Sequence, residues 1–124
     1  MTPTILIVDD DAIHVMNAQS LLEPLGFDLI DAVPNGKAAQ TYFRNNPHPD
    51  VVLLDLNMPD SDGVEFMNFL IDAENQIPIV IVSGAHASIQ RGASQLAIAN
   101  GLNVIGIIEK PLTLAKLASA FAHA

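Results

Sequence analysis

Asp9-Asp10, Asp55, Ser83 and Lys110 each stand at the end of an apolar run: Ile5-Leu6-Ile7-Val8, Val51-Val52-Leu53-Leu54, Ile79-Val80-Ile81-Val82 and the stretch from Val104 to Glu109. Three carboxylates held close repel one another and stay ionised together only when a cation joins them. Oxygen donors alone suit magnesium, a small octahedral ion that keeps several of its waters. With a lysine and a hydroxyl beside them, the set outlines a magnesium-assisted phosphoryl-transfer site. Asp55 stands alone in the middle of the set and is the expected acceptor. Asp9 and Asp10 would hold the metal directly or through water. Lys110 would pair with Asp55 and later with the phosphoryl oxygens, and Ser83 would donate its hydroxyl to one of them. The acyl phosphate so formed is hydrolytically labile, which suits a reversible signal.

These residues meet only if the four runs are parallel strands of one sheet, because open α/β folds keep their sites at the carboxyl edge. The alternation of apolar runs with amphipathic stretches predicts such a fold. Ile5–Val8 is continuously apolar, as a strand covered on both faces should be. Val15, Ala18, Leu22 and Leu25 recur at helical spacing, and Pro24 with Gly26 should end that helix. Phe27–Val33, interrupted by Asp28 and Asp31, predicts an edge strand. Asn35-Gly36 reads as a turn, Lys37–Asn45 as a short helix and Val51–Leu54 as the next strand. Phe66, Phe69, Leu70 and Ala73 mark one face of a third helix. Pro78 opens Ile79–Val82, and Ile89, Ala93, Leu96 and Ala97 share a face of the fourth helix. Val104–Ile108 is the fifth strand. Thr113 caps a last helix facing inward through Leu114, Leu117, Ala118 and Phe121. The count is five βα units in a single domain over residues 1–124, with no repeat or linker.

At 124 residues, half of them hydrophobic, the chain is long enough to bury a sizeable core. It has no cysteine, which excludes a disulfide scaffold, a thiolate metal site and a cysteine nucleophile. Fourteen acids face five basic residues for a formal charge of −9, and the basic residues form no stripe, so direct nucleic-acid binding is not expected. No apolar run reaches the ~20 residues of a membrane-spanning helix, and no basic n-region precedes an apolar stretch, so a cytoplasmic protein without membrane contact is expected.

The pieces Leu6-Ile7-Val8-Asp9-Asp10-Asp11, Leu53-Leu54-Asp55-Leu56-Asn57-Met58-Pro59 with Asp62-Gly63, Val82-Ser83-Gly84-Ala85 and Glu109-Lys110-Pro111 together resemble the receiver domain of two-component response regulators. The resemblance covers essentially the whole chain. It implies a flavodoxin-like (βα)5 three-layer sandwich, with a parallel five-stranded sheet of order 2-1-3-4-5. It implies Asp55 as phosphoacceptor, with Ser83 as switch hydroxyl and Lys110 as the invariant lysine. Mg2+ would be held by Asp9, Asp10, Asp55 and the backbone carbonyl of Asn57. A cis bond before Pro111 belongs to the same pattern. The implied partners are a sensor histidine kinase or phosphotransfer protein, and an output domain or downstream protein on the face of the fourth helix, last strand and last helix. Receivers also use that face to form homodimers. The chain would be a phosphoacceptor module with at most weak self-phosphorylation and autodephosphorylation, rather than a metabolic enzyme.

Two positions depart from the family pattern. Ile107 stands where the family usually has an aromatic, three residues before the lysine. Ser83 and Lys110 are 27 positions apart, a few more than is common, with the surplus around the fourth helix. The segment Gly101 to Gly106 ahead of Glu109-Lys110-Pro111 is similar to receivers joined to EAL-type cyclic-di-GMP phosphodiesterase domains. Two other functions compete. One is a receiver that no longer switches and serves as a docking module. The other is a haloacid-dehalogenase-like phosphatase, against which stands Ala12-Ile13 in place of that family's Gly-Thr continuation. Asp11 is expected as a helix cap, Asp60 and Asp62 as solvated loop acids, and Gly63 as a turn residue. The four histidines show no ligand spacing; His86 lies near Ser83, with surface placement expected.

Overall fold

The computed structural model describes residues 3–27, 29–57, 62–84 and 88–122, and over 88–90 the backbone alone. Strands β1 (Thr4–Val8), β2 (Leu29–Val33), β3 (Val51–Asp55), β4 (Ile79–Ser83) and β5 (Val104–Glu109) alternate with five helices. These are α1 (Ala12–Leu22), α2 (Gly36–Asn45), α3 (Asp62–Asp72), α4 (Ser88–Ala99) and α5 (Leu114–Phe121). The strands pair in parallel in the order β2-β1-β3-β4-β5. This is the flavodoxin-like order expected above.

Local chemistry sets the helix ends. The Asp11 carboxylate accepts from the backbone N–H groups of Ile13 and His14 at 2.9 and 3.2 Å, starting α1. Asn35 caps α2 through the Ala38 N–H at 2.7 Å, and Thr113 caps α5 through that of Lys116 at 3.2 Å. α1 tightens at Glu23–Leu25 into a 3-10 turn around Pro24, and Gly26 reverses the chain at φ 97°.

Side-chain alternation splits the core into two layers. Leu6, Val8, Val52, Leu54, Ile79 and Ile81 pack against Phe43, Phe66, Met67, Leu70 and Ala97 of α2, α3 and α4. Ile5, Ile7, Val51, Leu53, Val80, Val82 and Ile108 pack against Ala18, Leu22, Leu117 and Ala120 of α1 and α5. Burying β1, β3 and β4 on both faces is what permits their uninterrupted apolar sequences. β2 and β5 are the edges, and both are only partly covered. Gly106 lets α5 lie close to the sheet, since a Cβ there would come within 2.8 Å of the Ala120 Cβ.

Several expectations shift. The second strand begins at Leu29; Phe27 instead packs its ring 5.0 Å from that of Phe121. Gly63 is no turn residue but lies buried in the first turn of α3. Asp62 is half-buried, and its carboxylate accepts from the Gly36 N–H, so it ties the start of α3 to the start of α2 rather than facing water. Asp28, Met58, Pro59, Asp60, Ala85, His86 and His123 lie outside the described residues. The Lys110-Pro111 bond is cis, as expected.

The tie between Asp62 and Gly36 requires close backbone approach: a Cβ on Gly36 would collide with the Asp62 carbonyl. Gly36→Ala is therefore expected to destabilise the fold by about 1–3 kcal/mol. Gly92→Ala on α4, where a Cβ meets nothing within 4 Å, should instead stabilise it by about 0.5–1 kcal/mol. Urea denaturation of the two variants checks both signs, and equal effects would refute the steric argument.

Candidate functional site

Strand register brings the site together. Val8 pairs with Leu54, Asp55 with Val82, and Ser83 with Glu109, so Asp9, Asp55, Ser83 and Lys110 come to one edge of the sheet. Asp55 ends β3 and is only 3% exposed. Its Oδ1 accepts from the Asn57 N–H at 2.7 Å and its Oδ2 from the Lys110 ammonium at 2.9 Å. A buried carboxylate needs such partners, because desolvation otherwise disfavours its charge. Lys110 is itself fixed from below: its backbone N–H donates to the Ser83 carbonyl at 2.8 Å.

Asp9 follows β1, where its own N–H donates to the Val33 carbonyl at 3.1 Å. Its carboxyl is pushed up to about 6. Burial is the main cause and the neighbouring Asp55 carboxylate adds to it, while a hydrogen bond from the Asp11 N–H and the His14 ring oppose the rise. The Asp11 carboxyl is held below its usual range by the N–H groups of His14 and Ile13 that it caps. The two acids thus diverge by environment, one crowded and half-desolvated, the other on a helix end.

Strand parity separates the remaining groups. Asp55 continues the series Val51, Leu53 toward α1 and α5, whereas Ser83 continues Ile79, Ile81 toward the opposite layer, where it is buried. The hydroxyl and the acceptor therefore approach the edge from opposite faces of the sheet. On the α1–α5 side lies a cavity of about 360 Å³. Asp9, His14, Asp55 and Lys110 form its polar part, and Ile7, Ala18, Leu53, Val82 and Leu112 its apolar part.

The expected metal residues are not grouped equally. Ligand atoms of Asp9, Asp55 and His14 lie within 4.8 Å of one another. Asp10 is exposed and stands outside that grouping, while Asn57, also exposed, borders it through its N–H on Asp55. His14 was not legible as a site residue, because the histidines show no ligand spacing among themselves. The usable signal is its distance from the acidic pair: the cap at Asp11 turns the chain so that the first turn of α1 folds back over Asp9, with His14 Nδ1 3.8 Å from Asp9 Oδ2.

The fold and the site now define a doubly wound α/β module with a strand-end carboxylate paired to a lysine. The family model for the response regulator receiver domain matches residues 5–122, and the chain belongs to that family. It is 35% identical over 113 residues to the autoinducer 1 sensor kinase/phosphatase LuxN of Vibrio campbellii, covering 91% of this chain and 12% of that protein. It is 32% identical over 116 residues to the transcriptional regulatory protein PrrA of Mycobacterium tuberculosis, covering 94% of this chain and 47% of that protein. The chain thus spans half or less of either relative's length. The crystal structure of a response regulator from Colwellia psychrerythraea superposes with a TM-score of 0.81 at 29% identity, covering 98% and 94% of the two chains. No helix among the described residues is long and apolar enough to cross a membrane.

The crowding at Asp9 has a measurable consequence. Because its folded pKa of about 6 lies above the unfolded value of 3.8, the folded state takes up the extra proton, and stability falls as pH rises between these values. Asp9→Asn, which mimics the neutral form, should exceed the parent's stability at neutral pH in magnesium-free buffer. The gain is about 1–2 kcal/mol after screening by water. The gap should close as pH falls to 3.8. Urea melts across that range check it, and a gap independent of pH would refute the cause given.

Proposed function

We propose that the chain is a phosphoacceptor switch of a two-component system, in which Asp55 takes a phosphoryl group from a sensor histidine kinase or phosphotransfer protein. The observation that carries this reading is the buried Asp55 carboxylate held at 2.9 Å by Lys110 at the end of β3. In the transfer the donor's N–P bond breaks and an O–P bond forms at an Asp55 oxygen. Lys110 is already in place to follow the charge from carboxylate to phosphoryl oxygens. Ser83, one strand away, supplies the hydroxyl that meets those oxygens.

The donor chemistry fits a divalent cation. Asp9 and Asp55 converge, and the Asp55 carboxylate adds to the rise that burial produces in the Asp9 carboxyl. Asp9, Asp10, Asp55 and the backbone carbonyl of Asn57 would hold Mg2+, which when bound neutralises charge on the transferring group. Asp10 and Asn57, both exposed, would complete the oxygen donors for it.

Two surfaces suit the partners. Ile13 and Met16 are exposed on α1, next in sequence to His14 and Asn17 of the cavity lining, a face that suits a donor protein. Leu96, Ile98, Ile107 and Leu114 are exposed on the α4–β5–α5 side, which suits an output domain, a downstream protein or a second copy of the chain. We place the module in the cytoplasm, as one receiver domain over residues 1–124, with only weak self-catalysed phosphorylation and dephosphorylation. An EAL-type phosphodiesterase is one output compatible with this reading. Ile107 favours a second reading, a receiver that docks its partner without switching, because an exposed aliphatic side chain has no inward aromatic position to exchange.

Incubation with acetyl phosphate and Mg2+ should add one phosphoryl group by mass. The adduct should be absent in Asp55→Asn and when EDTA replaces Mg2+. An adduct that survives Asp55→Asn would overturn the assignment. Light scattering with and without phosphodonor separates the two readings, since a module that does not switch keeps one oligomeric state throughout.

A further inference from the structure

His14 adds a nitrogen donor to what is otherwise an oxygen site. Its Nδ1 lies 3.8 Å from Asp9 Oδ2 and 3.4 Å from the Lys110 ammonium. An ammonium has only donors to offer, so in this contact Nδ1 can only accept. The imidazole therefore presents a lone pair toward the carboxylate cluster. Its Nε2 lies 3.8 Å from Asp11 Oδ2, a carboxylate on the far side of the ring. The ring is about half exposed, with 46% of its side-chain surface open, so an ion reaches it from solvent. Asp9 Oδ2 and the Asp55 carboxylate complete a three-residue group whose ligand atoms span 4.8 Å. Asp55 keeps lone pairs for such an ion even while it accepts from Asn57 and Lys110.

We propose that His14 converts the carboxylate site of this receiver into a mixed imidazole–carboxylate centre that takes a borderline divalent transition ion, of the class of Co2+, Ni2+ or Zn2+, in preference to Mg2+. The inference rests on the reading that Asp9 and Asp55 hold a cation, and adds the identity of the cation and of one ligand. Its chemical basis is that imidazole suits the later first-row ions, whereas Mg2+ strongly prefers oxygen and retains its water. The ion would take the place of the Lys110 contact at Nδ1, while Lys110 retains Asp55. The two ions would share Asp9 and Asp55, with His14 completing the set for the transition ion and Asp10 and Asn57 that for Mg2+.

The test is calorimetric titration of the chain with Co2+ and, separately, with Mg2+, together with the visible absorption of bound Co2+. Wild type, His14→Leu, His14→Gln and Asp9→Asn are compared. Wild type should bind Co2+ more tightly than Mg2+. Both His14 variants should lose Co2+ affinity on the order of tenfold or more and change the Co2+ spectrum, with Mg2+ affinity kept within about twofold. Asp9→Asn should lose the same Co2+ site, which separates it from ions on His48, His86 or His123. Co2+ affinity and spectrum unaltered in both His14 variants, or equal losses for Co2+ and Mg2+, would overturn the inference while leaving the phosphoacceptor reading intact. Failure of wild type to bind either ion would overturn both.

Discussion

The constraint on which the rest depends is a carboxylate in the wrong solvent. Asp55 lies at the end of a fully buried strand, 3% exposed, between neighbouring strands on both sides. Such a group is stable as an anion only with donors fixed beside it, and the sheet supplies them. One is the N–H of Asn57, two residues on. The other is Lys110, which is 55 residues away in sequence and reaches Asp55 only because β4 lies between β3 and β5 and holds the Lys110 backbone through Ser83. A buried ion pair of this kind is a poor source of stability. The proposed role as phosphoacceptor gives it a reason: the Asp55 carboxylate is oriented and already faces the ammonium that a transferred phosphoryl group would need.

Much of this was legible because the physics is local. Continuous apolar runs read as doubly covered strands. Asp11 and Thr113 read as caps and are caps; the polar group ending each run lies at the carboxyl edge. What escaped depends on contacts between distant segments. Asp62 resembles any loop acid until α2 comes near and its carboxylate accepts from the Gly36 N–H. Gly63 sits beside turn-forming residues in sequence, but helix packing, not positive φ, accounts for it. His14 has no histidine or cysteine at ligand spacing, and only the fold of α1 over Asp9 makes it a neighbour of the site. Ser83 was correctly put at the strand end, but the opposite parity of β4 relative to β3 required the register of both.

That parity bears on how the signal leaves the site. Asp9, Asp55 and Lys110 work on the α1–α5 face, and Ser83 stands on the face of α3 and α4. On the proposed reading, a phosphoryl group on Asp55 would lie at the edge where these faces meet, with groups from both faces beside it. In β5 the residue in register with Ile81 is Ile107, on the same face as Ser83 but 42% exposed. It lies past the cover that α4 provides. An aromatic there would have a large surface to bury on moving inward; an isoleucine has less to gain and is stiff at χ1.

The same separation explains the electrostatic tension at the acidic end. Lys110 pairs with Asp55, which leaves Asp9 crowded by a like charge and by burial. Burial and the neighbouring Asp55 carboxylate raise the Asp9 carboxyl to about 6, so a cation of the proposed kind would be attracted by charge the fold has already assembled. His14, with Asp9 on one side of its ring and Asp11 on the other, cannot relieve that charge by hydrogen bonds alone, since both carboxylates are 3.8 Å away. Those gaps are too long for direct hydrogen bonds and leave the ring free to turn its nitrogen to an ion. The first turn of α1 thus serves two purposes: its cap engages Asp11 on the helix end, and its outer ring stands beside the carboxylates where, on the inference above, it would select among cations.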